Sequence, residues 1–320
     1  MIAVVGGQNV TLKRLMVGEG FPHLSEYATM GRSRAHELDG VFNCSFTQSQ
    51  MQESVYRRWS YTSLDLPIIN KTLVTNKLEA QRKMEAEGAR EHILTWRRQE
   101  PSSADHDRSP DLWVVKPYAS QGGVGIRTYE GGRLNTHYYL QKRVNKLREF
   151  RAHVGLWLNF PVFTIQEKKP KPELWEDCII PAEAVFTSDT DYRWPAYEEQ
   201  RERLPLTWNV NSGFYLRRAT TPEDRAEKLS RFPLFRRIEE VAIKAVKALG
   251  YQYGAVDILM DDDRNLWVVE INSHPAIKNE MSKALYINAL EPLKTMSKMD
   301  LFSLTQQTTS GTVQRVMTRR

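Results

Sequence analysis

Apolar positions recur along the chain with two different periods, and the changes of period mark its elements. In "RFPLFRRIEEVAIKAVKALG" the residues Phe235, Ile238, Val241, Ala242, Ala245 and Leu249 fall on one helical stripe closed by Gly250, which predicts an amphipathic helix. In "EFRAHVGLWLNF" the residues Phe150, Ala152, Val154 and Leu156 alternate with others, as in a strand with one buried face. Two apolar runs, "GAVDILM" and "LWVVEIN", flank an acidic turn and predict an antiparallel hairpin, while "LWVVKP" and "YYLQKRV" read as further strands. "NKLEAQRKMEAEG" is rich in strong helix formers and stops at Gly88, a natural C-cap. The first 75 residues carry short apolar runs ("MIAVV", "GVFNCSF", "LPIIN"), the texture of a small α/β unit without a motif. "QEPSSADHDRSPD" and "EKKPKPELWED" read as polar loops, and "SLTQQTTSGTVQRVMTRR" as a mobile tail. No internal repeat occurs.

Composition sets the scale. A chain of 320 residues with 41% hydrophobic and 26% charged content can bury a full core, and at ~150 residues per domain it suggests about two domains. No apolar run approaches the ~20 residues of a membrane span, and "MIAVVGG" lacks the basic region of a signal peptide, so a cytoplasmic protein is expected. Cys44 and Cys178 stand far apart outside any C-x-x-C, which argues against a disulfide framework or a zinc site. The net charge of +6 favours an anionic partner without specifying it.

The hairpin carries the first candidate chemistry. With a loop of about four residues, Asp257 falls opposite Glu270, and Asn272 lies on the same face two residues further on. A buried carboxylate without a partner costs several kcal/mol or takes up a proton, so a cation should meet this pair. Two carboxylates with an amide oxygen and phosphate oxygens suit the octahedral shell of Mg²⁺. Core lysines or arginines would serve as well, and a register slip of one residue would turn the acids apart. The hairpin alone leaves these readings open.

A second cluster lies upstream. In "LWVVKPYASQGGVGIRTYE" a strand delivers Lys116 and runs into Gly122, Gly123 and Gly125, a turn whose exposed backbone N–H groups can wrap phosphate oxygens beside the lysine charge. The spacing is neither G-x-x-x-x-G-K-[ST] nor G-x-G-x-x-G. Taken alone, a plain hairpin connection explains it too.

Taken in order, Lys77 at a helix head, "VVKP", "GGVG", "LQKRV", "EFRAHV" and "GAVDIL…LWVVEIN" resemble the ATP-grasp superfamily over residues 76–276. The similar groups are D-alanine–D-alanine ligase, the ligase that adds glutamate to ribosomal protein S6, and tubulin tyrosine ligase. The resemblance implies an α+β fold in which two subdomains clamp Mg·ATP. Residues 1–75 would form a small pre-ATP-grasp α/β domain, 76–145 the small subdomain, 146–302 the large subdomain with the metal site, and 303–320 a disordered basic tail. It also implies an ADP-forming carboxylate–amine ligase that works through an acyl phosphate on an amino acid, peptide or protein, with acidic substrates in keeping with the charge. Oligomeric state and nucleic-acid or membrane partners are not implied.

The same resemblance assigns residues. Lys77 and Lys116 match the lysines that neutralise ATP phosphates, and Gly122, Gly123 and Gly125 the loop that covers them. Gln141, Lys142, Arg143 and Val144 match the hinge whose backbone reads the adenine edge. Asp257, Glu270 and Asn272 match the ligands of Mg²⁺, or of Mn²⁺ in its place. Arg151 matches a catalytic arginine that faces the transferring phosphoryl group, where a bidentate guanidinium suits the charge. An ATP-grasp kinase and a non-catalytic ATP-binding protein remain as alternatives, and the complete set of phosphoryl-transfer residues speaks against the second.

The chain departs from the pattern at two positions. Lys142 stands where many members have an acid, and Ala255 where D-alanine–D-alanine ligase has an oxyanion-holding arginine. If an amide is formed, that task passes to Arg151, Arg217 or Arg218. In "LTWNVNSGFYLRRA" Asn209, Asn211 and Arg217 are substrate-side candidates, and an ordinary polar loop fits as well. His274 reads as a hydrogen-bonding residue rather than a base, and Trp157, Trp175, Trp194 and Trp208 as core or loop anchors rather than base-stacking groups. No hydrolase or zinc motif is present.

Overall fold

The computed structural model of the chain describes residues 1–7, 10–25, 37–46, 48–51, 66–71, 73–74, 76–97, 113–119, 124–170, 214–220, 224–275, 277 and 280–307. Short, wholly apolar runs suit strands buried on both faces. The N-terminal runs form such strands: β1 (Ile2–Val5), β2 (Gly40–Asn43) and β3 (Ile68–Ile69) make a parallel sheet in that order. Helix α1 (Thr11–Gly18) adds Leu12 and Met16 to the core around this sheet, and the short α2 (Gln48–Met51) adds Met51. Cys44 is buried here, while Cys178 lies outside the described residues.

Helix α3 (Lys77–Met84) opens on Asn76, whose side chain accepts hydrogen bonds from the Leu78 and Glu79 amides. Its path ends at Gly88, whose φ of 92° suits a residue without Cβ. Strands β4 (Trp96–Arg97), β5 (Trp113–Pro117), β6 (Arg127–Thr128) and β7 (Tyr138–Lys142) form an antiparallel sheet in the order β4-β7-β5-β6. Trp113, Val115 and Leu140 pack together on one face of it. Lys116 pairs with Tyr139 and Val114 with Gln141, so Lys116, Tyr139 and Gln141 share the other face.

The largest sheet contains β8 (Lys146–Gly155), β9 (Val162–Pro170), β10 (Phe214–Thr220), β11 (Tyr253–Asp261) and β12 (Leu266–Asn272). Its order is β10-β9-β8-β11-β12, antiparallel throughout. Helices α4 (Arg225–Arg231) and α5 (Pro233–Ala248) precede β11. All six stripe residues from Phe235 to Leu249 are buried, packing against Phe150, Ala152, Val154, Ile165, Val256 and Ile258 on one sheet face. At about 1.5–3 kcal/mol per large side chain, this burial fixes which face of β8 turns inward. The alternation then sends Glu149, Arg151 and His153 to the opposite face.

Two expectations are corrected. Residues 167–170 of the supposed loop "EKKPKPELWED" belong to β9, where Lys168 and Glu167 are shielded by neighbouring strands. Residues 303–307 of the supposed tail are helical, because α6 (Glu280–Thr295) is followed by α7 (Lys298–Gln307), with Leu301 and Leu304 buried. Among the described residues no helix is long and apolar enough to cross a membrane.

Candidate functional site

β11 is the inner strand between β8 and β12, which explains why its sequence is almost wholly apolar and why its buried acid, Asp257, needs partners. Asp257 is opposite Arg151 on β8 and Glu270 on β12, and Arg151 is opposite Gln166 on β9. These four residues form a row across the polar sheet face. Arg151 donates from Nε to Asp257 Oδ1 (2.7 Å) and from Nη2 to Oδ2 (2.8 Å), a bidentate pair. Lys168 Nζ lies 3.6 Å from Asp257 Oδ2 and also pairs with Glu149, to which Lys146 donates at 2.8 Å. Burial pushes the Asp257 carboxyl up, but the Arg151 and Lys168 charges outweigh it and hold the group well below the usual carboxylate range. Glu149 is likewise held low by Lys146 and Lys168 against its burial.

The second wall comes from α3 and the β4–β7 sheet. Lys77 donates to Glu270 Oε2 at 3.2 Å, joining the helix head to β12. Lys116 is 4% exposed and donates to a neutral group, Gln141 Oε1, at 2.9 Å. Burial, with the nearby Lys77 charge, brings the Lys116 ammonium down to about 8. Glu270, Glu149 and Asp257 act on it in the opposite sense, so the two walls present their charges to one another. Beside the hinge a cavity of about 1280 Å³ opens, lined by Lys142, Arg143 and Val144 with Trp96 and Trp267, and edged by Asp261 to Asp263. Lys77, Lys116, Asp257 and Glu270 do not line it.

The remaining candidates are distributed unevenly. Asn272 is opposite Ala255, one residue pair beyond Val256 and Ile271 and on the face of Asp257. Gly125 has φ 78°, a turn conformation; Gly122, Gly123, Asn209 and Asn211 lie outside the described residues. On β10 it is Arg218, not Arg217, that is in register with Gln166 and so with Arg151. Ala255 is fully buried opposite His153. His274 contacts the neighbouring Ser273 hydroxyl at 3.0 Å.

Sequence reasoning missed Lys146, Lys168, Gln166 and His153. Burial lowers His153 to about 4, so the neutral ring donates from Nε2 to Gln166 Oε1 (3.0 Å) and accepts at Nδ1 from the Tyr286 hydroxyl of α6. The signal for His153 was present in "EFRAHV", where Glu149, Arg151 and His153 occupy the positions between the apolar ones.

Asp257, Glu270 and Asn272 offer two carboxylates and an amide oxygen, the kind of donors that could hold a hard divalent cation. Among the described residues no group of three or more His, Cys, Asp and Glu side chains gathers. Asp257 and Glu270 face each other across two strands with Asn272 beside them, which leaves the rest of an octahedral shell to phosphate or water oxygens, as Mg²⁺ prefers.

Residues 223–295, from the approach to α4 through β11 and β12 to the end of α6, match the RimK-like ATP-grasp domain. Over the whole chain, the ATP-grasp ligase PsnB in complex with a minimal precursor is similar in structure, with a TM-score of 0.51 at 13% identity over 92% of this chain and 99% of that one. N5-carboxyaminoimidazole ribonucleotide synthetase from Thermotoga maritima gives 0.46 at 10% identity over 93% and 73%, and VanG D-Ala:D-Ser ligase from Enterococcus faecalis gives 0.44 at 12% over 85% and 73%. A comparison with curated proteins finds no match. At such identities the likeness speaks to fold, and the first of these structures carries it. The matched segment holds the Asp257–Glu270 hairpin, and with the structural likeness over 92% of the chain this protein has the ATP-grasp fold.

Proposed function

We propose that the protein is an ADP-forming carboxylate–amine ligase that uses Mg·ATP and passes through an acyl phosphate. The observation that supports this best is the Arg151–Asp257–Glu270–Lys77 series, which brings two carboxylates and two cations together beside the buried Lys116 ammonium. Phosphoryl transfer asks a protein mainly for position and for positive charge around spreading negative charge. In the free protein the cations hold the carboxylates. On nucleotide binding, Lys77, Lys116 and Arg151 would turn from Glu270, Gln141 and Asp257 to phosphate oxygens, and Asp257, Glu270 and Asn272 would hold magnesium. The metal, held by these residues, would neutralise negative charge on the phosphates.

The substrate carboxylate oxygen attacks the γ-phosphorus, the bond to the ADP oxygen breaks, and Arg151 supports the phosphoryl oxygens with its planar fork. The amine then attacks the acyl carbon, inorganic phosphate leaves, and the amine loses a proton as the amide forms. Glu270→Gln keeps the side-chain size and removes a charge, so turnover should fall at least 10²-fold with the fold intact. Arg151→Lys should lose a similar factor in kcat with nucleotide affinity little changed. The decisive experiment is a mass-spectrometric screen of amino acids and acidic peptides for ATP-dependent condensation, repeated with hydroxylamine. ADP, phosphate and a hydroxamate are expected. AMP and pyrophosphate would rule out the acyl phosphate, and a phosphorylated hydroxyl product would make the protein a kinase.

A further inference from the structure

The polar side chains in and beside the Arg151 row differ in how open they are. Arg151, Gln166 and Glu270 are half-buried and keep part of their surface open, whereas Asp257 and His153 are buried. Gln166 therefore stands at the open surface of the row, next to Arg151 and on the side of it away from Asp257, Glu270 and Lys77. Neighbouring strands lie about 4.8 Å apart, so a group bound over Arg151 is within reach of the Gln166 side chain. Phosphoryl transfer as proposed above gives this side chain no task.

A chain of hydrogen bonds from helix α6 sets which way Gln166 is turned. The Tyr286 hydroxyl donates to His153 Nδ1, and His153 donates from Nε2 to Gln166 Oε1 at 3.0 Å. His153 is 4% exposed and its ring is neutral, so it has one proton to give and one lone pair to fill. A donor at Nδ1 leaves that proton on Nε2. Tyr286 and Phe163 pack against the imidazole, with ring centroids 5.4 and 5.8 Å away, and hold it in place. The Gln166 oxygen is thereby taken, and its Nε2 amide has no partner among the described residues. Two N–H donors are left beside the Arg151 guanidinium.

We infer that Gln166 donates an amide N–H to the acyl oxygen of the bound carboxylate substrate, with His153 and Tyr286 as positioning residues that hold the carboxamide in that orientation; this rests on the ligase reading of the site. The order along the row follows the order of the reacting atoms. Glu270 and Asp257 stand at the metal, Arg151 at the phosphoryl group, and Gln166 at the acyl group joined to it through oxygen. As the amine's lone pair forms the C–N bond, the carbonyl π pair moves onto the acyl oxygen. That pair returns as the C–O bond to phosphate breaks, phosphate leaves with the bonding electrons, and the amine's proton passes to it. A hydrogen bond to the acyl oxygen strengthens as negative charge grows there, which lowers the barrier. A neutral amide does this without adding a cation that would hold phosphate back.

Two measurements on the full chain test this. Nitrogen-15 NMR of the histidine side chains should show the His153 ring proton on Nε2, with His153→Asn used to assign the signal. A proton on Nδ1 would turn the Gln166 oxygen towards Arg151 and overturn the inference, while leaving the ligase reading standing. The second measurement is hydroxamate formation from a panel of amino acids and acidic peptides with Mg·ATP and hydroxylamine. Gln166→Met should lower kcat on the order of 10²-fold with the KM for ATP unchanged. Tyr286→Phe should lower kcat in the same way, and adding it to Gln166→Met should cost nothing further, which a purely structural tyrosine would not produce. Additive losses would overturn the positioning role, and a Gln166→Met variant that works at the wild-type rate would overturn the role of Gln166 and leave the ligase. Should Tyr286→Phe fail to fold, the ring proton and Gln166→Met still decide. A panel from which wild type makes no hydroxamate removes the ligase reading and this role with it.

Discussion

Lys116 shows what burial does to a single charge. Its ammonium is brought from 10.5 to about 8 by desolvation and by Lys77. Below about pH 8 both the folded and unfolded chains carry the proton, and the folded state bears the full cost of burying it. Between 8 and 10.5 the folded lysine is neutral while the unfolded one is charged, so this group's contribution to stability rises with pH across that window. Phosphates placed beside it would favour the charged form and raise its value again. Nucleotide binding above pH 8 should therefore take up a proton, and affinity should fall as pH rises. Titration calorimetry in two buffers of different ionisation enthalpy would show this uptake, and Lys116→Met should abolish it. An uptake that persists in the variant would place the titrating group elsewhere.

At the scale of elements, the Asp257–Glu270 pairing depends on how closely β11 and β12 lie under α5. A Cβ on Gly254 would stand 2.9 Å from Ile271 Cγ2 and 3.6 Å from Val246 Cγ2. Gly254→Ala should thus cost about 1–3 kcal/mol through overpacking, and adding Ile271→Ala should make the two effects non-additive because the clash is relieved. Urea denaturation of the four variants reads this directly. The same hairpin was the most legible part of the sequence, since its pattern is local: two apolar runs flank a short acidic turn, although the register from Met260–Leu266 to Ile258–Val268 would put Asp257 opposite Val269, and an irregularity between Asp257 and Ile258 sets it opposite Glu270 instead. The α5 stripe was legible for the same reason. Lys168 was not, because the lysines and prolines of "EKKPKP" have the composition of a loop, and the strand becomes evident only once Glu149 and Asp257 from other strands provide its counter-charges. Gln81 looks like any polar residue of a surface helix, and only the structure shows it buried beside Leu78 and Met84.

At the scale of the molecule, the N-terminal sheet is tied to the site through β11. Asn70 follows β3 with φ 55°, and its Oδ1 accepts from the Gln252 (2.9 Å) and Tyr253 (3.1 Å) amides. Its Nδ2 donates to the Tyr253 carbonyl at 2.9 Å, and its own amide donates to Gln252 Oε1 at 2.7 Å. Phe42, Tyr253, Tyr286 and Leu301 share one core, so the first sheet, β11 and the two C-terminal helices bury the same apolar surface. Such shared burial predicts that they unfold together. Asn70→Gly keeps the backbone conformation but orphans two buried amides, at a cost of roughly 2–4 kcal/mol. Asn70→Ala should cost about 1 kcal/mol more, because alanine resists positive φ. Both should lower one cooperative transition followed by tryptophan fluorescence and by circular dichroism alike, since Trp157 packs against Phe42 and Tyr253. If two transitions appear and only one moves, the first sheet is an independent unit, and strain at Asn70 would not reach Asp257 along β11.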